Sequence, residues 1–148
     1  MQGKIEHLWV AVSKGQPMAP CKSVTVQEGM GLKGCRHSKA KGQRQILICD
    51  KETLEEFQLS PGQIKENVTV TGLDVNQLPA QTRLQLGAEV VLEITMPCEP
   101  CHQMEAIRPG LQAALADRRG VLCKVIAPGE IHCGDRLTVL QTEETAIH

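Results

Sequence analysis

Two thiols and an imidazole lie within five residues, in Met96-Pro97-Cys98-Glu99-Pro100-Cys101-His102-Gln103-Met104. The stretch directly follows Val90-Val91-Leu92-Glu93-Ile94-Thr95, a run whose β-branched residues favour a strand. Pro97 and Pro100 lack an N–H to give to a ladder and are expected to stop it, so Cys98, Cys101 and His102 fall on a stiff loop carried by a rigid element. A soft metal ligand or a sulfur nucleophile is the chemistry such a loop offers. The C-x-x-C spacing has three readings. A thiol-redox pair normally opens a helix, whose N-terminus lowers a thiol pKa. A structural zinc site needs four N or S ligands, and this chain has no second C-x-x-C, so Cys35 with His37 or Cys133 with His132 would have to complete it. The third reading is two packed thiols without a role, which the polar, proline-flanked surroundings disfavour.

Two further constellations carry polar chemistry. Gly31-Leu32-Lys33-Gly34-Cys35-Arg36-His37-Ser38 combines glycines, which let backbone approach a ligand, with Arg36, His37, Lys39, Lys41 and Arg44, which suit a phosphate or another oxyanion. A solvated basic turn would have the same composition, and the phosphate-loop pattern G-x-x-x-x-G-K-[ST] is absent. Glu66 and Asn67 stand where the strand-like run Val68 to Thr71 begins, positioned either to read a polar ligand or to fix a turn.

The elements that must hold these residues are short apolar runs cut by Gly and Pro. Strands are expected over Ile5 to Ser13, Val24 to Val26, Gln45 to Cys49, Val68 to Thr71, Arg83 to Leu86, Glu89 to Thr95, Val121 to Ile126 and Arg136 to Leu140. Gly87, between two such runs, marks a hairpin. Asp50 is the expected N-cap of a helix over the following residues to Phe57, and Leu111 to Arg119 reads as a second helix ended by Gly120. Many strands with few helices predict a mainly β protein, a closed or nearly closed β-barrel rather than alternating βαβ units.

The 148 residues fit one domain, 1–148, with enough chain to bury a core unaided. Trp9 and Phe57 are the only Trp, Phe or Tyr residues, so the core must be aliphatic, and the platforms that stack nucleic-acid bases are missing. A net charge of −1 supplies no field to gather polyanions. No apolar run reaches membrane-spanning length and the first residues contain no signal-like apolar stretch, so a soluble, cytoplasmic protein is expected, with neither nucleic acid nor membrane as partner. Seven cysteines in a reducing compartment point to reactive, metal-binding or buried thiols. Cys49 and Cys123 lie inside apolar runs and read as small core residues.

Taken in order, Gly31 to His37, Arg44-Gln45-Ile46, Glu66 to Leu73, Leu78 to Gly87, Cys101-His102, Arg119-Gly120-Val121 and Gly134-Asp135 make the chain closely resemble the MOSC family, the domain named after the C-terminal part of molybdenum-cofactor sulfurase. The likeness runs from about Ile5 to Leu140 and is closest to short stand-alone bacterial members. It implies a β-barrel whose essential cleft cysteine falls on Cys101, either ligating the molybdenum of a bound molybdopterin or carrying sulfur as a persulfide. His102 and Arg36 would favour the thiolate, and Arg36, His37, Arg44, Glu66 and Asn67 would hold the pterin and its phosphate. The implied role is handling, sulfuration or delivery of molybdenum cofactor, with cofactor-biosynthesis or recipient proteins as partners. The alternatives are a molybdenum-dependent reductase of N-hydroxylated compounds served by an external electron donor, and a thiol or zinc module using Cys98 and Cys101. Two positions depart from the family pattern: Cys35 stands where an acid is usual, and Lys65 where Gly usually precedes Glu-Asn. Cys98 is an additional thiol, able to resolve a persulfide on Cys101 by forming a disulfide.

Overall fold

The computed structural model describes residues 1–13, 15–35 and 42–140. Arg36, His37, Lys39 and Lys41 lie outside the described residues. Among the described residues, eleven strands occur in chain order: β1 Gln2–Val10, β2 Ala19–Cys21, β3 Ser23–Gln27, β4 Gly31–Leu32, β5 Ile46–Asp50, β6 Val68–Thr71, β7 Arg83–Leu86, β8 Val90–Pro97, β9 Val121–Ala127, β10 Gly129–His132 and β11 Arg136–Val139. Three short helices accompany them, α1 Lys51–Glu56, α2 Met104–Ile107 and α3 Leu111–Ala114, with a 3₁₀ turn at Val75–Gln77.

Hydrogen bonding runs β11-β7-β8-β9-β5-β6-β1, and β1 pairs back to β11, so seven strands close the barrel that the sequence predicts. The closing register is Gln2↔Thr138 to Lys4↔Arg136. It explains why β1 starts at Gln2 instead of Ile5. Residues 2–4 have no apolar alternation of their own, but without them the barrel would keep two open edges. At its other end β1 pairs with β2 (Leu8↔Cys21 to Val10↔Ala19) and stops at Val10, short of the expected Ser13. A separate three-stranded sheet, β10-β3-β4, lies alongside.

One pair is parallel: β5 and β6 share the register Ile48↔Val68 and are connected through α1. Asp50 caps α1 as expected, accepting from the backbone N–H of Thr53 at 2.9 Å and from its hydroxyl at 2.6 Å. The second predicted helix is cut to Leu111–Ala114. Asp117 adopts φ +63°, which no helix continues through, and the chain then reverses at Gly120, φ +98°. β8 also runs further than expected. Pro97 is its last residue, opposite Val121: the next N–H, of Cys98, donates to the Gly120 carbonyl, and β7, whose pairing ends at Arg83↔Glu93, does not extend to Pro97. The Gly87 hairpin joins β7 to β8 with φ +65°, and the N–H of Gly87 donates to the Arg136 carbonyl.

Two apolar clusters hold the fold. The barrel interior is filled by aliphatic side chains such as Ile5, Leu8, Ile46, Ile48, Val68, Val70, Leu84, Leu92 and Ile94, with Cys123 among them. Leu47, Cys49 and Leu122 point the other way, under Leu54, Leu59, Ile64, Met104, Leu111 and Leu115. Hence β5 is buried on both faces and its sequence is a continuous apolar run, not an alternation. Each fully buried Leu or Ile contributes about 1.5–3 kcal/mol. Cys49 and Cys123 are core residues as read, 3% and 0% exposed, and burial pushes both thiols up. No described helix is long and apolar enough to cross a membrane.

Candidate functional site

The loop between β8 and α2 presents Cys101 and His102 to solvent, while Cys98 is half-buried. Its backbone is pinned at both ends. The Cys98 N–H donates to the Gly120 carbonyl at 2.9 Å, and the carbonyls of Cys101 and His102 accept from the N–H groups of Met104 and Glu105 at 3.0 Å each. A third tie comes from Gln112, whose Nε2 donates to the Pro100 carbonyl at 3.4 Å. Glu105 braces the following turn by accepting from the N–H groups of Gly110 (2.9 Å) and Gln112 (2.8 Å), which hold its carboxyl below the usual glutamate range. Pro100, Glu105, Gly110, Gln112 and Ala113 line an open depression of about 420 Å³ beside the loop.

Cys98 and Cys101 follow a strand and precede the single-turn α2, whose Gln103 cap makes no side-chain hydrogen bond. That differs from the helix-opening position of a thiol-redox pair. Burial raises the Cys98 thiol, and the nearby positive charges of Arg119 and Arg44 act against that rise. Arg44 is exposed, and its neighbour Gln43 is held through its carbonyl by the hydroxyl of Thr95 on β8.

Arg119 received no role in the sequence reading, although it stands directly before Gly120. It is 7% exposed, donates through Nη2 to the Ile64 carbonyl at 2.6 Å, and lies against Cys49, whose thiol donates to the Arg119 carbonyl at 3.4 Å. Gly120 has room for no side chain. A Cβ there would meet the Ile48 carbonyl oxygen at 2.5 Å and the Cys49 sulfur at 2.6 Å. The Arg119-Gly120 backbone is therefore the seat on which Cys98 rests. The signal in the sequence was a charged residue followed by Gly at the head of a buried strand.

Glu66 and Asn67 form a different kind of place. Asn67 is 2% exposed and links three elements. Its Oδ1 accepts from the Leu47 N–H at 3.0 Å, and its Nδ2 donates to the Trp9 carbonyl at 3.3 Å and to the Cys35 sulfur at 3.5 Å. The same sulfur accepts from the Ala11 N–H at 3.3 Å. The structure thus brings the Gly31 to Cys35 turn and Asn67 together. Glu66 is fully buried; its Oε2 accepts from the Gly62 N–H (2.9 Å) and the Thr69 hydroxyl (2.7 Å), and that hydroxyl accepts from Trp9 Nε1 (3.1 Å). Glu66 Oε1 has no hydrogen-bond partner among the described residues. Lys65, where the resemblance implies glycine, has φ +67°, a conformation Gly adopts without strain. A groove of about 380 Å³ beside it is lined by Trp9, Pro17, Met18, Pro61, Gly62, Gln63 and Lys65.

The donor set suits one kind of metal better than another. Among the described residues, no three His, Cys, Asp or Glu side chains converge as a metal-holding cluster, so the closed four-ligand arrangement of structural zinc is not assembled from them. Cys101 presents one exposed sulfur, able to occupy a single position on a metal that brings its other ligands with it.

A model of the MOSC domain family matches residues 36–138. No curated protein matches the sequence. In three dimensions the chain is similar to YuaD from Bacillus subtilis, with a TM-score of 0.76 at 22% identity over 93% of this chain and 94% of that one. It is also similar to YiiM from Geobacillus stearothermophilus (TM-score 0.74, 18% identity, 94% and 75% covered) and YiiM from Escherichia coli (0.71, 17%, 95% and 70%). At these identities the likeness establishes the fold.

Proposed function

The chain belongs to the MOSC domain family, and we propose that it handles molybdenum cofactor, or the sulfur destined for it, through the thiol of Cys101. The observation carrying this reading is that Cys101 is exposed on a loop anchored at both ends, an arrangement that offers a soft sulfur without freeing the backbone. A molybdenum centre bound there would supply two-electron atom-transfer chemistry. Cys101 would be the protein's ligand to the metal, with His102 beside it, and Arg36, His37 and Arg44 would meet the pterin phosphate. Glu66 and Asn67 would serve by fixing the wall that these groups extend from, since their hydrogen bonds go mainly to the protein itself.

A second free thiol at Cys98, in the same loop as Cys101, favours transient sulfur handling over permanent ligation. The Cys101 thiolate takes the terminal sulfur of an external persulfide, releasing the donor as a thiolate. Attack by the Cys98 thiolate on the inner sulfur of the Cys101 persulfide then expels hydrosulfide and leaves a Cys98–Cys101 disulfide. A recipient protein that takes the sulfur first spares this step. Cytoplasmic partners that make or receive the cofactor belong to the same proposal.

The test is metal and pterin analysis of protein purified anaerobically from a host that makes the cofactor, with Cys101→Ser and Cys98→Ser beside the wild type. Molybdenum with pterin, or a persulfide seen by mass spectrometry, is expected in the wild type and lost in Cys101→Ser. Bound molybdenum would also justify assays for reduction of N-hydroxylated compounds with an artificial electron donor. Zinc that depends on both Cys98 and Cys101 would overturn the proposal.

A further inference from the structure

A second pair of thiols lies away from the Cys98–His102 loop. Cys21 ends β2, and Cys133 stands in the turn between β10 and β11. They are far apart in sequence, yet the Cys133 thiol donates to the Cys21 carbonyl at 3.4 Å. The Cys133 N–H donates to the carbonyl of the adjoining Lys22 at 2.9 Å, so the two backbones are held side by side. Cys133 is exposed and Cys21 is half-buried, an arrangement with one thiol reachable from solvent and a second behind it.

We infer that Cys21 and Cys133 form a redox-reactive pair that closes to a disulfide when the protein meets a small-molecule disulfide. The exposed Cys133 thiolate attacks the reagent, forming a mixed disulfide and releasing one thiolate. Cys21, after losing its proton to solvent, attacks the Cys133 sulfur, and the second reagent thiolate leaves. Two protein thiols are oxidised and one reagent disulfide is reduced to two thiols. The electrostatic setting agrees with proximity, since burial, Cys133 and then Cys35 each raise the Cys21 thiol. Its exposure makes Cys133 the first thiol to react, and the half-buried Cys21 is the one that resolves.

The bridge would fasten β2, which pairs with β1, to the turn where β10 leaves the β10-β3-β4 sheet. β4 of that sheet leads to Cys35, so oxidation would stiffen the approach to the Asn67 contact. The inference stands independently of any role for Cys101.

The experiment uses the full chain carrying Cys98→Ser and Cys101→Ser, treated with oxidised glutathione, alkylated and mapped by mass spectrometry. The expected result is a Cys21–Cys133 linked peptide as the main product, with both thiols lost together. Adding Cys21→Ser should convert Cys133 to a stable glutathione adduct, and Cys133→Ser, on an exposed turn, should leave Cys21 open to alkylation. Cys133 remaining a glutathione adduct while Cys21 is intact, or Cys133 remaining unreacted, would overturn the inference.

Discussion

The Cys98–His102 loop and the Glu66–Asn67 corner both read as ligand-facing chemistry in the sequence, and the fold treats them in opposite ways. The loop has its backbone pinned at both ends and leaves the Cys101 and His102 side chains in solvent. The corner buries its side chains and directs their hydrogen bonds to β1, β5 and the Gly62 turn. A polar group joined to three elements organises a wall, whereas one on an anchored loop is available to a ligand. The difference makes a sharp division: substitutions in the corner and its supports should cost stability, and substitutions at the tip of the loop should cost chemistry.

The largest effect is expected where the two regions meet. Gly120→Ala forces a Cβ against the Ile48 carbonyl and the Cys49 sulfur, at φ +98°, and should cost about 3 kcal/mol in chemical denaturation. Near-native stability for this variant would show that the seat beneath Cys98 yields easily. Asn67→Ala leaves the Leu47 N–H without its side-chain acceptor in the interior and should cost about 2 kcal/mol. A smaller cost, paired with lost cofactor or persulfide, would move Asn67 from the wall into the ligand set. Lys65→Gly should change stability in the other direction. Relief of φ +67° outweighs the added entropy of the unfolded chain, giving a gain of about 1 kcal/mol, and a loss would mean the lysine side chain supports the groove beside Trp9.

The loop's own brace supplies the smallest test. Glu105 has a folded-state pKa below its ordinary 4.5, so its contribution is present above that value and disappears as pH falls through the lowered one. Amide exchange at Gly110 and Gln112 should accelerate over that acidic interval and lose the pH step in Glu105→Gln. An unchanged profile would mean that the turn holds without the carboxylate.

Strands with their own apolar signal were legible from sequence: β6 and β7 match residue for residue, β9 runs one residue longer, and β5 is shifted by one at each end. Those that depend on partners were not. β2 is Ala-Pro-Cys, β4 is Gly-Leu and β10 begins at Gly129, and each exists because a neighbour supplies its hydrogen bonds. The α2 turn escaped notice for the same reason, having no side-chain cap. At the site, two prolines and polar neighbours gave away the exposure of Cys101. Nothing local distinguished Asn67 as a cross-brace from Asn67 as a ligand, since its partners Trp9, Cys35 and Leu47 are distant in sequence. Arg119 acts on Cys98 only because β9 returns beside β8, and only the fold reveals that.

The most direct test of the division is Cys101→Ser, with unfolding and sulfur chemistry measured on one anaerobic preparation. An exposed Cys-to-Ser change is expected to alter stability by less than about 0.5 kcal/mol while abolishing bound molybdenum and persulfide. A variant that keeps either species at wild-type level would contradict the assignment of the chemistry to Cys101.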